Sequence, residues 1–324
     1  MAYGGPDCLD AVGPFMESLI GRASSPDVLE RVKSRYTAIG GCSPLPAITS
    51  DFVSSIAREL EVRGTPLPVV AGFKYTEPSI GSVIRGMYAR GVRQIVALSL
   101  SPFESNSTST AYVAAVDEAL IDAPDMTVEY VEAIGTMPIF VELHREGLAA
   151  ARERVLDIDA HEVLTVFTAH SLPVSDLETP ELYATGLRRV AGEIVADLDF
   201  EAGDEFTSCT RLPGIEAFGA PDAAQPWMLA YQSKGMRPGA WLGPELEDVM
   251  VLASEQGFRA VVVCPIGFAT EHMETAYDLD IVEAGHAREL GIEFERSLAP
   301  NDDPRLVAAI SSAILRILTV STSK

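Results

Sequence analysis

At 324 residues, with 47% apolar and 22% charged side chains, the chain is long enough for two domains of an ordinary soluble globular protein. A formal net charge of −23 argues against nucleic-acid binding and against charge-driven docking on anionic membrane. No run of about 20 apolar residues predicts a transmembrane helix, the N-terminus lacks the layout of a signal peptide, and a cytoplasmic location is expected.

The chain opens on Met1-Ala2-Tyr3-Gly4-Gly5-Pro6, which reads as a turn. A glycine loop of this kind normally leaves a buried strand. The expectation is therefore either a very short first strand or apolar residues upstream of Met1. Pro14 to Leu19 and Pro26 to Tyr36 read as helices, the second with Val28, Leu29 and Val32 on one face. After the dense turn signal Ile39 to Leu45, Phe52, Ile56 and Leu60 predict an amphipathic helix from Ile48 to Arg63. Pro68 to Phe73 reads as a strand, Ser79 to Arg90 as a helix, Gln94 to Leu100 as a strand and Ala111 onward as a helix. This β-α-β-α alternation implies a parallel sheet.

A second, similar series follows. Thr127 to Ala133, Val163 to Thr168, Trp227 to Ser233 and Ala260 to Cys264 read as strands. Pro138 to Asp157, Pro180 to Leu198 and Gly243 to Glu255 read as helices between them, and Glu201 to Pro226 as irregular or inserted. Pro304, with Leu306, Ile310, Ile314 and Leu318 at helical spacing, predicts a closing amphipathic helix. The cysteines Cys8, Cys42, Cys209 and Cys264 are scattered without a C-x-x-C pair, so free thiols are expected.

Chemistry concentrates at two strand ends. The apolar run Val163 to Ala169 ends on His170, and in parallel α/β sheets working residues lie just past the carboxyl ends of strands. Beyond the strand at Ala260 to Cys264, a helix starting at Glu271 would place Glu271, Glu274 and Asp278 within an arc of about 60°. A carboxylate stripe facing a lone imidazole suits a reaction that handles a divalent metal and protons together. His144, His161 and His286 occupy polar contexts and are expected to be solvated, and His272 falls on the far side of its helix from Glu274. No phosphate-cradling glycine loop or G-x-S-x-G elbow supports nucleotide use or serine hydrolysis.

These stretches resemble a known family. Thr168-Ala169-His170-Ser171-Leu172-Pro173 is similar to the ferrochelatase signature around its catalytic histidine. Pro265-Ile266-Gly267-Phe268, continuing through Glu274 to Asp278, resembles the second signature, with the catalytic glutamate at Glu274. Three more blocks agree in order: Ala2 to Pro6, Arg35-Tyr36 through Gly40 to Leu45, and Tyr231-Gln232-Ser233 to Trp241-Leu242-Gly243-Pro244.

The resemblance implies a chelatase fold, two Rossmann-like domains with parallel sheets flanked by helices and a porphyrin cleft between them. Domains are expected at 1–125 and 126–300, the second carrying His170 and Glu274, with a closing helix at 301–324. It implies insertion of Fe²⁺ into a porphyrin in haem b biosynthesis. His170 would be the proton acceptor or a metal contact, Glu274 its partner, and Glu271 and Asp278 an extension of the path for metal or protons. Tyr3 in the glycine loop resembles the bacterial branch that uses coproporphyrin III, where it lies against the opposite face of the metal. Arg35, Tyr36, Ser43 and Tyr112 match porphyrin-contact positions of that branch.

Three departures stand out. No arginine lies at Leu19 or Ile20, which weakens one propionate contact, and Val282 stands where a further carboxylate is often found. With no cysteine after Cys264, no iron–sulfur cluster is expected. No cofactor is expected either; Fe²⁺ is a substrate, and a monomer is anticipated. A protoporphyrin IX ferrochelatase and a non-catalytic porphyrin- or haem-binding protein remain alternatives. A cobalt chelatase acting on sirohydrochlorin is disfavoured because no histidine precedes His144.

Overall fold

The run Val163–His170 forms strand β3 of the larger sheet, and seven of its eight residues are buried. β-branched and aromatic side chains cover both of its faces, as a central parallel strand requires. The structure, a computed structural model, describes residues 1–177, 180–196, 198, 226–235 and 237–321. The loop expected between Glu201 and Pro226 lies, but for Pro226, outside the described residues.

The elements, in order, are helices α1 (Val12–Ile20), α2 (Pro26–Ala38), α3 (Leu45–Val62) and α4 (Ile80–Ala89), then strand β1 (Gln94–Ala97) and helix α5 (Ser109–Leu120). Strand β2 (Thr127–Tyr130), helix α6 (Pro138–Arg152), β3, helix α7 (Pro180–Ala196) and strand β4 (Trp227–Gln232) follow. Helix α8 (Leu246–Glu255), strand β5 (Ala260–Cys264), a π-helix (Glu274–Glu283), helix α9 (Ala284–Leu290), strand β6 (Glu293–Arg296) and helix α10 (Pro304–Ser321) complete the chain. Two compact units result, one of 1–139, 269–273 and 300–321, the other of 140–268 and 274–299 within the described residues. The first unit thus runs past the boundary expected at 125/126, and α10 belongs to it.

In the second unit the strand order is β4-β3-β5-β6, all parallel. Leu164, Val166, Met228, Ala230, Val261 and Val263 pack on Leu246, Val249 and Met250 of α8 and on Ala287 of α9. Each buried Leu, Val or Met among them contributes about 1.5–3 kcal/mol. Residues of α6 reach the same sheet: the Arg152 guanidinium donates to Thr165 Oγ1 at 2.7 Å, and His144 Nδ1 lies 3.8 Å from Cys264 Sγ. His144 is fully buried, its ring edge-on to Phe140 at 4.5 Å. It is therefore not solvated as its polar sequence neighbours suggested, because it shares the inner face of α6 with Phe140 and Leu148. Strand β6 escaped the sequence reading because Glu-Phe-Glu-Arg carries only one apolar residue.

In the first unit β1 pairs in parallel with β2. The stretch expected as a strand at Pro68 to Phe73 instead makes only isolated bridges at Phe73. The strand position is taken by Met1 to Tyr3. Ala2 N–H donates to Gly72 O at 3.1 Å, and Lys74 and Tyr75 N–H donate to Ala2 and Tyr3 at 3.0 Å each. On the other side Leu100 N–H donates to Met1 O at 2.9 Å, and the Met1 amino group to Leu98 O at 2.6 Å. Ile80 and Ile84 of α4 pack against Tyr112 and Val116 of α5. Helices α10 and α3 lie together, joined by Arg63 donating to Ser312 Oγ at 2.6 Å.

Candidate active site

The second unit assembles its site at the carboxyl ends of β3 and β4. His170 is the last residue of β3 and pairs with Gln232, the last of β4. His170 Nδ1 lies 3.3 Å from the Gln232 carbonyl oxygen. A carbonyl can only accept, so Nδ1 carries the hydrogen, and Nε2 is the nitrogen turned away from the backbone. That Nε2 stands 3.7 Å from Glu274 Oε1, and both side chains are one third exposed. Nε2 is thus the ring nitrogen left open beside the Glu274 carboxylate.

The surroundings hold this pair in place. Ser171 N–H also donates to Gln232 O at 2.8 Å, its hydroxyl donates to Leu242 O at 2.8 Å, and the Tyr183 hydroxyl reaches His170 O at 3.3 Å. Burial pushes the Tyr183 phenol far above its ordinary range, so it stays a neutral donor. Gln232 Nε2 donates to the Glu274 carbonyl at 2.9 Å. One residue thereby orients the imidazole through its backbone and the glutamate through its side chain. Next to it, Ser233 sits at φ 61°, a left-handed conformation uncommon for serine, and its hydroxyl donates to Asp278 Oδ2 at 2.5 Å. Neither Gln232 nor Ser233 was singled out for chemistry from the sequence. The block Tyr231-Gln232-Ser233 was the only signal.

Glu274 and Asp278 lie on the π-helix, not on an α-helix begun at Glu271. Glu271 precedes the helix in the first unit, where its N–H donates to Asn301 Oδ1 at 2.8 Å. A 100° wheel drawn from the sequence assumes i→i+4 bonding, and the i→i+5 ladder seen here rotates every later residue. Val282 is 45% exposed.

The remaining predicted residues lie in the first unit. Tyr3 is half-buried, its ring 4.6 Å from that of Tyr75, and it joins a cluster containing Tyr36, Val12 and Phe15. Arg35 is exposed, while Tyr36, Ser43 and Tyr112 are buried. Gly5 allows Ser43 its position. A Cβ at residue 5 would lie 2.7 Å from the Ser43 side chain, and Ser43 N–H donates to Pro6 O at 2.8 Å. The structure thus joins the Ala2-to-Pro6 block to the Gly40-to-Leu45 block. Tyr112 fills the core between α4 and α5, where burial raises its phenol well beyond the usual value. Among the described residues no three His, Cys, Asp or Glu side chains converge on a common metal position. No described helix is long and apolar enough to cross a membrane.

Parallel sheets flanked by helices, with an imidazole beside a carboxylate at a strand end, define the class: an α/β chelatase-type fold. Residues 1–317 match the family model described as Ferrochelatase, and the chain belongs to that family, whose members insert iron into porphyrin in haem biosynthesis. It is similar to the ferrochelatase of Deinococcus radiodurans, at 30% identity over 98% of this chain and 94% of that one. The coproporphyrin III ferrochelatase of Mycolicibacterium smegmatis is 31% identical over 98% and 88%. Among solved structures, SirB from Bacillus subtilis with Fe³⁺ covers 84% of this chain and 92% of its own, with a TM-score of 0.50 and 11% identity, a likeness of fold.

Proposed function

We propose that this ferrochelatase inserts Fe²⁺ into coproporphyrin III, with His170 Nε2 as the acceptor of the pyrrole protons. The observation that carries the reading is the Nδ1–H bond to the Gln232 carbonyl, which leaves Nε2 as the ring nitrogen facing Glu274, 3.7 Å from its Oε1. As Fe²⁺ enters, the two N–H bonds of the macrocycle break and their electron pairs become bonds to iron. The protons leave through Nε2, and the imidazolium that forms is stabilised by the Glu274 carboxylate. Glu274 also offers an oxygen to the incoming cation.

Coproporphyrin is favoured over protoporphyrin by Tyr3 in the glycine loop, by the exposed cation Arg35, and by similarity to a relative named for coproporphyrin III. Four propionates can occupy cationic and hydroxyl groups that two would leave unmatched, at about 1–3 kcal/mol for each buried group stranded. Steady-state metallation of the two porphyrins tests this. We expect kcat/KM for coproporphyrin III to exceed that for protoporphyrin IX by about tenfold or more, since each 1.4 kcal/mol is tenfold. Equal values, or a preference for protoporphyrin, would overturn the assignment.

A further inference from the structure

The chain from Pro66 to Phe73 runs extended along an open edge. Pro66, Pro68 and Val70 are exposed while Leu67, Val69 and Ala71 are half-buried, the two-residue alternation of a strand. Ala2 N–H donates to Gly72 O and Lys74 N–H to Ala2 O, so the even-numbered residues face Ala2 and the odd-numbered ones face away. Phe73 agrees: its N–H donates to Pro78 O at 2.9 Å and its carbonyl accepts from Ile80 N–H at 2.9 Å. Leu67, Val69 and Ala71, on that outer side, make no backbone hydrogen bond among the described residues. Both prolines fall on the other side, so no outward N–H is lost to them.

A groove of about 550 Å³ follows this edge, lined by Val53 of α3, by Val69 and Phe73, by Val83 and Gly86 of α4, and by Arg90. Its size is that of a ligand site, and its lining is mostly apolar. Arg90 is exposed and has no ion-pair partner among the described residues. Its guanidinium lies back over Gly86, 3.9 Å from where a Cβ would stand. In a chain of net charge −23, no Asp or Glu lies between Glu77 and Glu104, whereas Arg85, Arg90 and Arg93 do. Arg93 is paired with Asp125, and Glu77 accepts from Ser79 N–H and the Ser82 hydroxyl. The groove thus carries a cation whose charge no neighbour offsets.

We propose that this groove docks an extended acidic segment of a partner protein, which adds to the edge as a further strand. The open positions at Leu67, Val69 and Ala71 recur about every 6.8 Å. Another extended chain presents its own carbonyl and N–H groups at the same repeat. A fatty acid or other apolar anion has no such series of acceptors. Apolar side chains of the incoming strand occupy the groove at Val53 and Val83, and its carboxylate meets Arg90. A second copy of this chain is a poorer occupant. Two chains of charge −23 repel each other, and Pro66 to Ala71, paired with itself, brings no acid to Arg90.

The test is a fluorescence titration of the full chain with a short labelled peptide of alternating valine and threonine that ends in glutamates. Binding should saturate with a Kd in the micromolar range and slow amide hydrogen exchange at Leu67, Val69 and Ala71. Arg90→Glu should weaken it about tenfold or more. Val69→Pro, which deletes an outward N–H, should abolish it, as should N-methylation of alternate residues of the peptide. The exposed Arg90→Glu change and the methylated peptide decide the matter if Val69→Pro does not fold. No saturation below about 1 mM, or binding undiminished by N-methylation, would overturn the proposal. Dodecanoate binding in place of the peptide would give the groove to an apolar anion. Self-association of the chain that Val69→Pro abolishes would give it to a second copy. Either result overturns the partner strand.

Discussion

A Cβ on Gly267 would lie 2.5 Å from the Cβ of Ala169, and Gly267 N–H donates to Thr168 O at 2.9 Å. The loop leaving β5 therefore runs directly against the end of β3, one residue before His170. Gly267→Ala cannot keep this approach, because its neighbour includes backbone. Overpacking of this kind costs about 1–3 kcal/mol. Thermal unfolding should begin several degrees lower, and kcat should drop about tenfold through displacement of the segment that leads to Glu274. Unaltered melting and turnover would show that the loop relaxes freely.

His170→Ala should leave the fold intact, since the side chain is one third exposed and ends its strand. Removing the proposed general base should lower kcat by roughly 10²–10⁴. Rates from metallation assays, together with an unchanged melting temperature, check both halves of the expectation. A rate near that of the unaltered enzyme would show that the protons leave by another route.

Gln232→Leu separates positioning from chemistry. The leucine keeps the backbone carbonyl that receives His170 Nδ1 but loses the amide that donates to Glu274 O. It should cost about 1 kcal/mol of stability and reduce kcat more than it changes the KM for porphyrin. Equal loss in both would place Gln232 in substrate binding instead.

Ser233 invites a comparison of two variants. Both Ser233→Ala and Ser233→Gly remove the hydroxyl bond to Asp278, but only glycine also relieves the left-handed backbone at φ 61°. The glycine variant should be the more stable by about 1 kcal/mol. Matching melting curves would mean the conformation carries no strain.

Much of this was legible in the residues. The buried run ending on His170 and the Ala260-to-Cys264 strand were readable because continuous β-branched stretches fit only a covered parallel strand. Where pairing rather than composition decides, legibility ended. Strand β6 is polar enough to hide, Pro68 to Phe73 reads as a strand yet bridges only at Phe73, and three residues from Met1 take the strand place. The π-helix was the deeper omission. No local residue pattern announces i→i+5 bonding, so Glu271 was credited to a helix it precedes while Glu283 was passed over.

Glu283, buried at the end of the π-helix, makes a prediction about stability. Its acid is raised from 4.5 to about 7 in the folded chain, so between those values the folded state holds more proton than the unfolded one. Stability from this group is therefore lost as pH rises from about 4.5 through 7, by at most about 3 kcal/mol. The Met1 amino group acts in the opposite sense. Burial lowers it from 8.0 to about 5, so the unfolded state binds more proton between pH 5 and 8, and stability from this group rises with pH there. The two slopes oppose each other across pH 5 to 7, and the unaltered chain should show little net change. Glu283→Gln removes one of them. Denaturant midpoints measured from pH 5 to 7 should then climb with pH in the variant while staying nearly level in the parent, and parallel curves would show that Glu283 ionises as an ordinary surface glutamate.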